Sequence, residues 1–190
     1  ALKVIGNIDN TFQQGDWPRF ITSTTTSAPD DLVVSNGFMY VISGAELSIY
    51  NVVDINNPLL ISTSSANGNN IEVVGNYAYI TGPSFSIVDV TDKRTPVQVG
   101  SVSYGSNYGY SAIRGQYAYV SSSVENTLKV IDISNPRQPR VGASLSVGSS
   151  PRDLDISGST LYLVEHGVGG NLFSIDISNP LDPVLLDTLS

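Results

Sequence analysis

The stretch 127–141, TLKVIDISNPRQPRV, returns at 171–185 as NLFSIDISNPLDPVL. Weaker copies stand at 84–99, SFSIVDVTDKRTPVQV, and at 46–61, ELSIYNVVDINNPLLI. Four copies of one unit make this a repeat chain, in which each unit buries its apolar face against a neighbour. The registers agree. Tyr40, Tyr79, Tyr119 and Tyr162 hold one position, at spacings of 39, 40 and 43. Pro58, Pro96, Pro139 and Pro183 hold another, always 11 residues after Leu47, Phe85, Leu128 and Leu172.

Each unit reads as four short strands. They fall at 32–35, 38–43, 47–53 and 59–62; at 71–74, 77–81, 85–90 and 97–103; at 111–114, 117–122, 127–133 and 140–145; and at 154–157, 161–165, 172–177 and 184–189. Alternation, β-branched and aromatic residues, and Gly, Asn and Pro breaks support strands throughout. No window has a helical period with caps. The first two strands of a unit meet at NGF, GNY, GQY or GST, which suit tight hairpins. Phe85, Ile87 and Val90 are placed to pack between units. Asp89, Asp132 and Asp176, with Asn51 in the first unit, end the third strand, where a side-chain oxygen accepts turn N–H groups. Four strands in about 40 residues is the size of a β-propeller blade. The expected fold is all-β, one domain over 1–190, with four blades of four antiparallel strands at about 32–63, 71–103, 111–145 and 154–190. An arc of a larger propeller is the alternative.

Two segments stand outside the repeat. Residues 2–8 match a fourth strand, VIGNI aligning with QVGSV at 98–102, so one strand is surplus. Residues 9–31 are a polar insert with a Ser/Thr-rich run at 22–27 and an aromatic island, DWPRF, at 16–20. An unpaired strand edge templates pairing. The surplus therefore points to strand exchange between copies, through Leu2, Val4, Ile5 and Ile8 or through Val184, Leu186 and Leu189. In that case the partner is another copy, in an oligomer or polymer.

FSIVDV, LKVIDISNP and FSIDISNP, each after a Tyr-Ala-Tyr or Leu-Tyr strand, resemble the LVIVD-repeat family over residues 32–190. The resemblance implies propeller-type repeats of bacterial and archaeal surface or secreted proteins, and no established catalytic residues. The first unit departs from the pattern by reading YNVVDINNP.

The remaining chemistry is sparse. The absence of cysteine excludes disulfides and thiol sites. A net charge of −8 argues against nucleic acid and anionic membranes as partners. Only 14% of residues are charged, against roughly 25% in average domains, a polar, uncharged style suited to extracellular or cell-surface proteins. No apolar run is long enough to insert in a membrane. The loops between fourth and first strands and between second and third share one face, the expected interaction face. It carries Trp17, Phe20, Tyr104, Tyr108, Tyr110, Arg152 and His166. His166 is the only histidine. Asp30, Asp31, Asp153 and Asp155 are expected near the channel mouth. They match no calcium-loop pattern. The expectation is of no catalytic residue, metal or cofactor. The function expected is a non-enzymatic extracellular structural or interaction module, self-assembling into a filament by strand exchange, or else a lectin-like propeller. Other surface proteins or glycans are the further partners considered.

Overall fold

A computed structural model of the chain describes residues 28–106, 108–167 and 169–190. Among these residues there are sixteen strands and no helix. The N-terminal strand expected at 2–8, the Ser/Thr run and most of the insert lie outside them.

The strands form four separate four-stranded sheets, each a consecutive antiparallel meander. Blade 1 holds β1 (Asp31–Ser35), β2 (Phe38–Ser43), β3 (Glu46–Asn51) and β4 (Leu59–Ser65). Blade 2 holds β5 (Asn70–Val74), β6 (Tyr77–Thr81), β7 (Phe85–Asp89) and β8 (Val97–Val102). Blade 3 holds β9 (Ser111–Arg114), β10 (Tyr117–Ser122), β11 (Thr127–Asp132) and β12 (Arg140–Ser146). Blade 4 holds β13 (Pro151–Ser157), β14 (Thr160–Glu165), β15 (Leu172–Asp176) and β16 (Val184–Leu189). Thus Val184, Leu186 and Leu189 belong to a strand paired with β15 of their own blade.

Local chemistry explains the meander. The first hairpin of blade 1 turns through Asn36 and Gly37, both at positive φ, as a type I′ turn requires. In the other blades the leading turn residue alone, Gly75, Gly115 or Gly158, has positive φ, the type II′ pattern. The reversal from third to fourth strand is the expected Asx turn in all four blades. Asn51 Oδ1 accepts the Val53 N–H at 3.0 Å, and Asp89, Asp132 and Asp176 accept those of Thr91, Ser134 and Ser178 at 2.9, 2.9 and 2.8 Å. A second acceptor follows three residues later. Asp54, Asp92, Asn135 and Asn179 take the N–H of Asn56, Arg94, Arg137 and Leu181. The sequence reading did not foresee that the register between third and fourth strands shifts at the same place in every blade. Opposite Ile49/Tyr50, Ile87/Val88, Val130/Ile131 and Ser174/Ile175, the fourth strand carries an extra residue. Such a bulge adds twist to the outer strand.

The core lies between blades rather than within them. Tyr40, Ile42, Leu47 and Ile49 of blade 1 meet Ala78, Ile80, Val88 and Val90 of blade 2. Tyr79, Phe85 and Ile87 of blade 2 meet Ala118, Val120, Ile131 and Ile133 of blade 3. Tyr119, Leu128 and Val130 of blade 3 meet Leu161, Leu163, Ile175 and Ile177 of blade 4. Period-2 alternation thus gives each sheet one face for the preceding blade and one for the next. The first strands are neighbours in series, β1 beside β5, β5 beside β9 and β9 beside β13.

Candidate functional site at the channel mouth

The four first strands line up by their pairing with the second strands. Val33, Glu72, Ala112 and Asp155 are equivalent, each opposite the repeat tyrosine. Two residues earlier stand Asp31, Asn70, Tyr110 and Asp153. Asp31 and Asn70 tie their blade to the next. Asp31 Oδ2 accepts the Ile71 N–H at 2.9 Å and the Asn70 side-chain amide at 2.8 Å. Asn70 Oδ1 in turn accepts the Ser111 N–H at 2.9 Å and its hydroxyl at 3.0 Å. Thr81 donates to the same Ser111 hydroxyl.

Carboxylates gather on this inner surface. Glu72 is half-buried, and burial first of all, then the charges of Asp31, Asp155 and Asp153, raises its carboxyl above the usual range. Of the four acids expected at the mouth, Asp31, Asp153 and Asp155 are therefore close enough to act on Glu72. Asp30 is drawn aside: its carboxylate accepts the Gly44 N–H at 2.7 Å on the blade 1 hairpin. Among the described residues no grouping of three acid or histidine side chains is close enough to hold a metal ion. Glu72 escaped the sequence reading. The signal was present in the register, since Glu72 stands in the same column as Asp155.

A cavity of about 460 Å3 opens between the loops of blades 3 and 4. Tyr108, Gly109, Tyr110, Ser123, Ser150, Pro151 and Arg152 line it. Its frame is rigid. Ser121 Oγ accepts the Tyr110 N–H at 2.9 Å and donates to the Arg152 carbonyl at 2.9 Å. Arg152 Nη1 donates to the Tyr110 hydroxyl at 3.1 Å, and its guanidinium lies 6.0 Å from the ring centre. Gly109 must be small, because a Cβ there would stand 2.4 Å from the Ser121 carbonyl oxygen.

Three of the expected interaction residues, Tyr108, Tyr110 and Arg152, thus share one cavity. His166 is exposed at the adjoining loop, its backbone N–H donated to the Ser150 carbonyl at 3.1 Å. Tyr104 is a correction: it is buried and donates to the Gly82 carbonyl at 2.7 Å, holding a loop shut instead of facing a ligand. Trp17, Phe20, Leu2, Val4, Ile5 and Ile8 lie outside the described residues.

No curated protein matches the chain in sequence. Solved structures share its fold. The periplasmic gluconolactonase PpgL of Pseudomonas aeruginosa is 15% identical, with a TM-score of 0.75 over 92% of this chain and 61% of that one. A protein of Bacteroides uniformis, described as a candidate 6-phosphogluconolactonase, is 14% identical, with a TM-score of 0.76 over 90% of this chain and 59% of that one. A protein from Lactobacillus plantarum is 20% identical, with a TM-score of 0.73 over 85% of this chain and 55% of that one. The chain therefore spans about three fifths of the length of these structures. Identities this low establish fold alone.

These neighbours correct the functional expectation. A non-enzymatic module that assembles by strand exchange, or a lectin-like one, is overturned by a set of fold relatives that includes lactonases by name. The expectation that the chain is not an enzyme meets the same finding. Among the described residues no helix is long and apolar enough to cross a membrane. The family expectation stands: the LVIVD repeat matches at residues 66–103, 111–145 and 149–189, more than half of the chain, and the protein belongs to the LVIVD-repeat family.

Proposed function

We propose that this chain is part of a propeller enzyme that opens a sugar lactone or a similar cyclic ester at the channel mouth between blades 3 and 4. The observation that carries the reading is Glu72, half-buried among Asp31, Asp153 and Asp155, with its carboxyl raised. Carboxyls whose surroundings push their proton affinities apart divide naturally into an acid and a base. In this reading Asp155 takes a proton from a water molecule as the water oxygen attacks the ester carbonyl carbon. Glu72, whose raised carboxyl suits the acid, gives a proton to the ring oxygen as the carbon–oxygen bond breaks. The products are a free hydroxyl and a carboxylic acid. Arg152, Tyr108 and Tyr110 would hold the sugar portion, the guanidinium by charge-assisted hydrogen bonds to its oxygens. The names of the fold relatives supply the substrate class.

A pH-stat assay of gluconolactone opening, corrected for the spontaneous rate, tests this. The expected outcome is catalysis above background that falls about 10²-fold or more in Glu72→Gln, the usual contribution of a positioned acid. Arg152→Ala is expected to raise KM more than it lowers kcat. Opening at the spontaneous rate with the unaltered chain, across a panel of five- and six-membered lactones, sinks the proposal. The same reading places the protein outside the cytoplasm. Its family, its polar uncharged style and the periplasmic relative support that location, which cell fractionation would check.

A further inference from the structure

Three equivalent positions on the forward face of each blade have sharply different surroundings. The repeat tyrosine is 2%, 6% and 0% exposed in blades 1 to 3, as Tyr40, Tyr79 and Tyr119, yet 43% exposed as Tyr162 of blade 4. The residue 11 before the repeat proline is fully buried as Leu47, Phe85 and Leu128, and 37% exposed as Leu172. Val164 is exposed where Ile42, Thr81 and Ser121 are buried. The backward face of blade 4 is buried normally through Leu161, Leu163, Ile175 and Ile177.

The polar connections stop at the same place. Asp31 bonds its own following N–H, that of Leu32, with Oδ1 at 2.8 Å and reaches the next blade with Oδ2. Asp153 holds the equivalent position and bonds its own following N–H, that of Leu154, with Oδ1 at 3.0 Å. Among the described residues its second oxygen has no hydrogen-bond partner. The outer strands repeat the pattern. Each of the first three leans on the turn of the following blade, Ser62 donating to the Lys93 carbonyl, Gly100 pressed on Pro136 and Pro139, and Gly142 close to Leu181. In β16 every residue is exposed.

We propose that the forward face of blade 4 is an interface for a fifth blade of the same repeat, with Asp153 as the acceptor for the first-strand N–H of that blade. The occupant is specified by continuity with the existing interfaces, above all that of blades 1 and 2, and the first-strand N–H bond recurs between blades 2 and 3. It offers small and β-branched apolar residues at the positions of Ala78, Ile80, Val88 and Val90, a backbone N–H at the position of Ile71, and an Asx-Pro turn against β16. A lone hydrophobic patch would specify none of these.

The experiment appends a second copy of residues 103–146 after Ser190 of the full chain and follows amide hydrogen exchange in β13–β16. The expected result is at least tenfold slower exchange in β14 and β15 than in the unextended chain. Asp153→Ala should lose most of that slowing, and Asp153→Asn should keep it, since Asn70 does the same work in blade 2. A folded extension with unchanged exchange in β14 and β15 overturns the proposal. So does slow exchange already present in the unextended chain, with sedimentation then telling a second copy from the chain's own first blade. Retained slowing in Asp153→Ala overturns the role of Asp153. Lactone opening is not read in this experiment, so its result stands apart from that of the function proposed above.

Discussion

Blades 3 and 4 have nearly the same sequence in their third strand and turn, LKVIDISNP against LFSIDISNP, and the same hydrogen bonds there. They differ in what lies in front of them. Leu128 is fully buried against blade 4, while Leu172 at the equivalent position is exposed. The turn is a local object and forms wherever its residues occur. Burial is a relation between two units, and the same residue gains it or not according to its neighbour. In a stacked array the energy of a unit divides into an intrinsic part and a nearest-neighbour part. The two blades display that division within one chain.

The largest expected effect comes from the core. Leu128→Ala should cost about 2–5 kcal/mol, as buried leucine truncations do. Leu172→Ala should cost under about 1.5 kcal/mol, because part of its side chain is already in water. Urea unfolding of the two variants checks the contrast, and equal losses would break it. If a further blade covers Leu172, its cost should rise toward that of Leu128.

A second contrast lies in the outer strands. A Cβ on Gly100 would stand 2.1 Å from the Pro136 carbonyl oxygen of the next blade. Gly100→Ala should therefore destabilise by about 1–3 kcal/mol through overpacking. Asp187 holds the same register position in blade 4 and is exposed. Asp187→Ala should lie within about 0.5 kcal/mol of the parent, as surface changes do. Thermal unfolding measures both.

The turns should show no such contrast. Asp132→Ala removes an exposed hydrogen-bond acceptor and should cost about 0.5–1 kcal/mol, reduced by solvent screening. Asp176→Ala should act in the same direction in blade 4. Hydrogen bonds from the Ser134 side chain and backbone hold the Asp132 carboxyl below its usual 3.8. The amide of Ser178 does the same for Asp176, followed by its side chain. A depressed carboxyl stabilises the fold above its unfolded value, and this contribution fades as pH falls through the folded value. The penalty of Asp132→Ala should accordingly shrink as the pH is lowered below 3.8. A penalty independent of pH would remove the carboxylate from the account.

The smallest effect has the opposite sign. Glu72 has a raised carboxyl, so its ionisation weakens the fold as pH climbs through the folded value. Glu72→Gln should melt slightly higher than the parent at neutral pH. The gain should vanish below 4.5, where the carboxyl holds its proton in both the folded and unfolded chain. A lower melting temperature at pH 7 would mean that Glu72 is held by bonds it donates or accepts.

Local rules were readable in the residues. The strand boundaries from 38–43 to 184–189 follow alternation, and the four Asx turns follow from an acidic or amide side chain two residues before a free N–H. Even the first blade, outside the matched LVIVD segments, obeys them through Asn51 and Asp54. These features depend on two to six neighbouring residues, so sequence carries them whole. The bulge in each outer strand was not legible, because no residue type marks it: Ile61, Val99, Gly142 and Leu186 occupy it in turn. Nor was Glu72 near Asp31, Asp153 and Asp155, residues far from it in sequence that approach it only when first strands line one channel. The cavity of Tyr108, Tyr110 and Arg152 needed two loops brought together by Ser121. Exposure of Tyr162 against burial of Tyr119 was least legible of all, since the two tyrosines sit in the same local pattern. Alternation sorts side chains to the two faces of a sheet, but the free energy of a face depends on the surface opposite it, and only the tertiary structure supplies or withholds that surface.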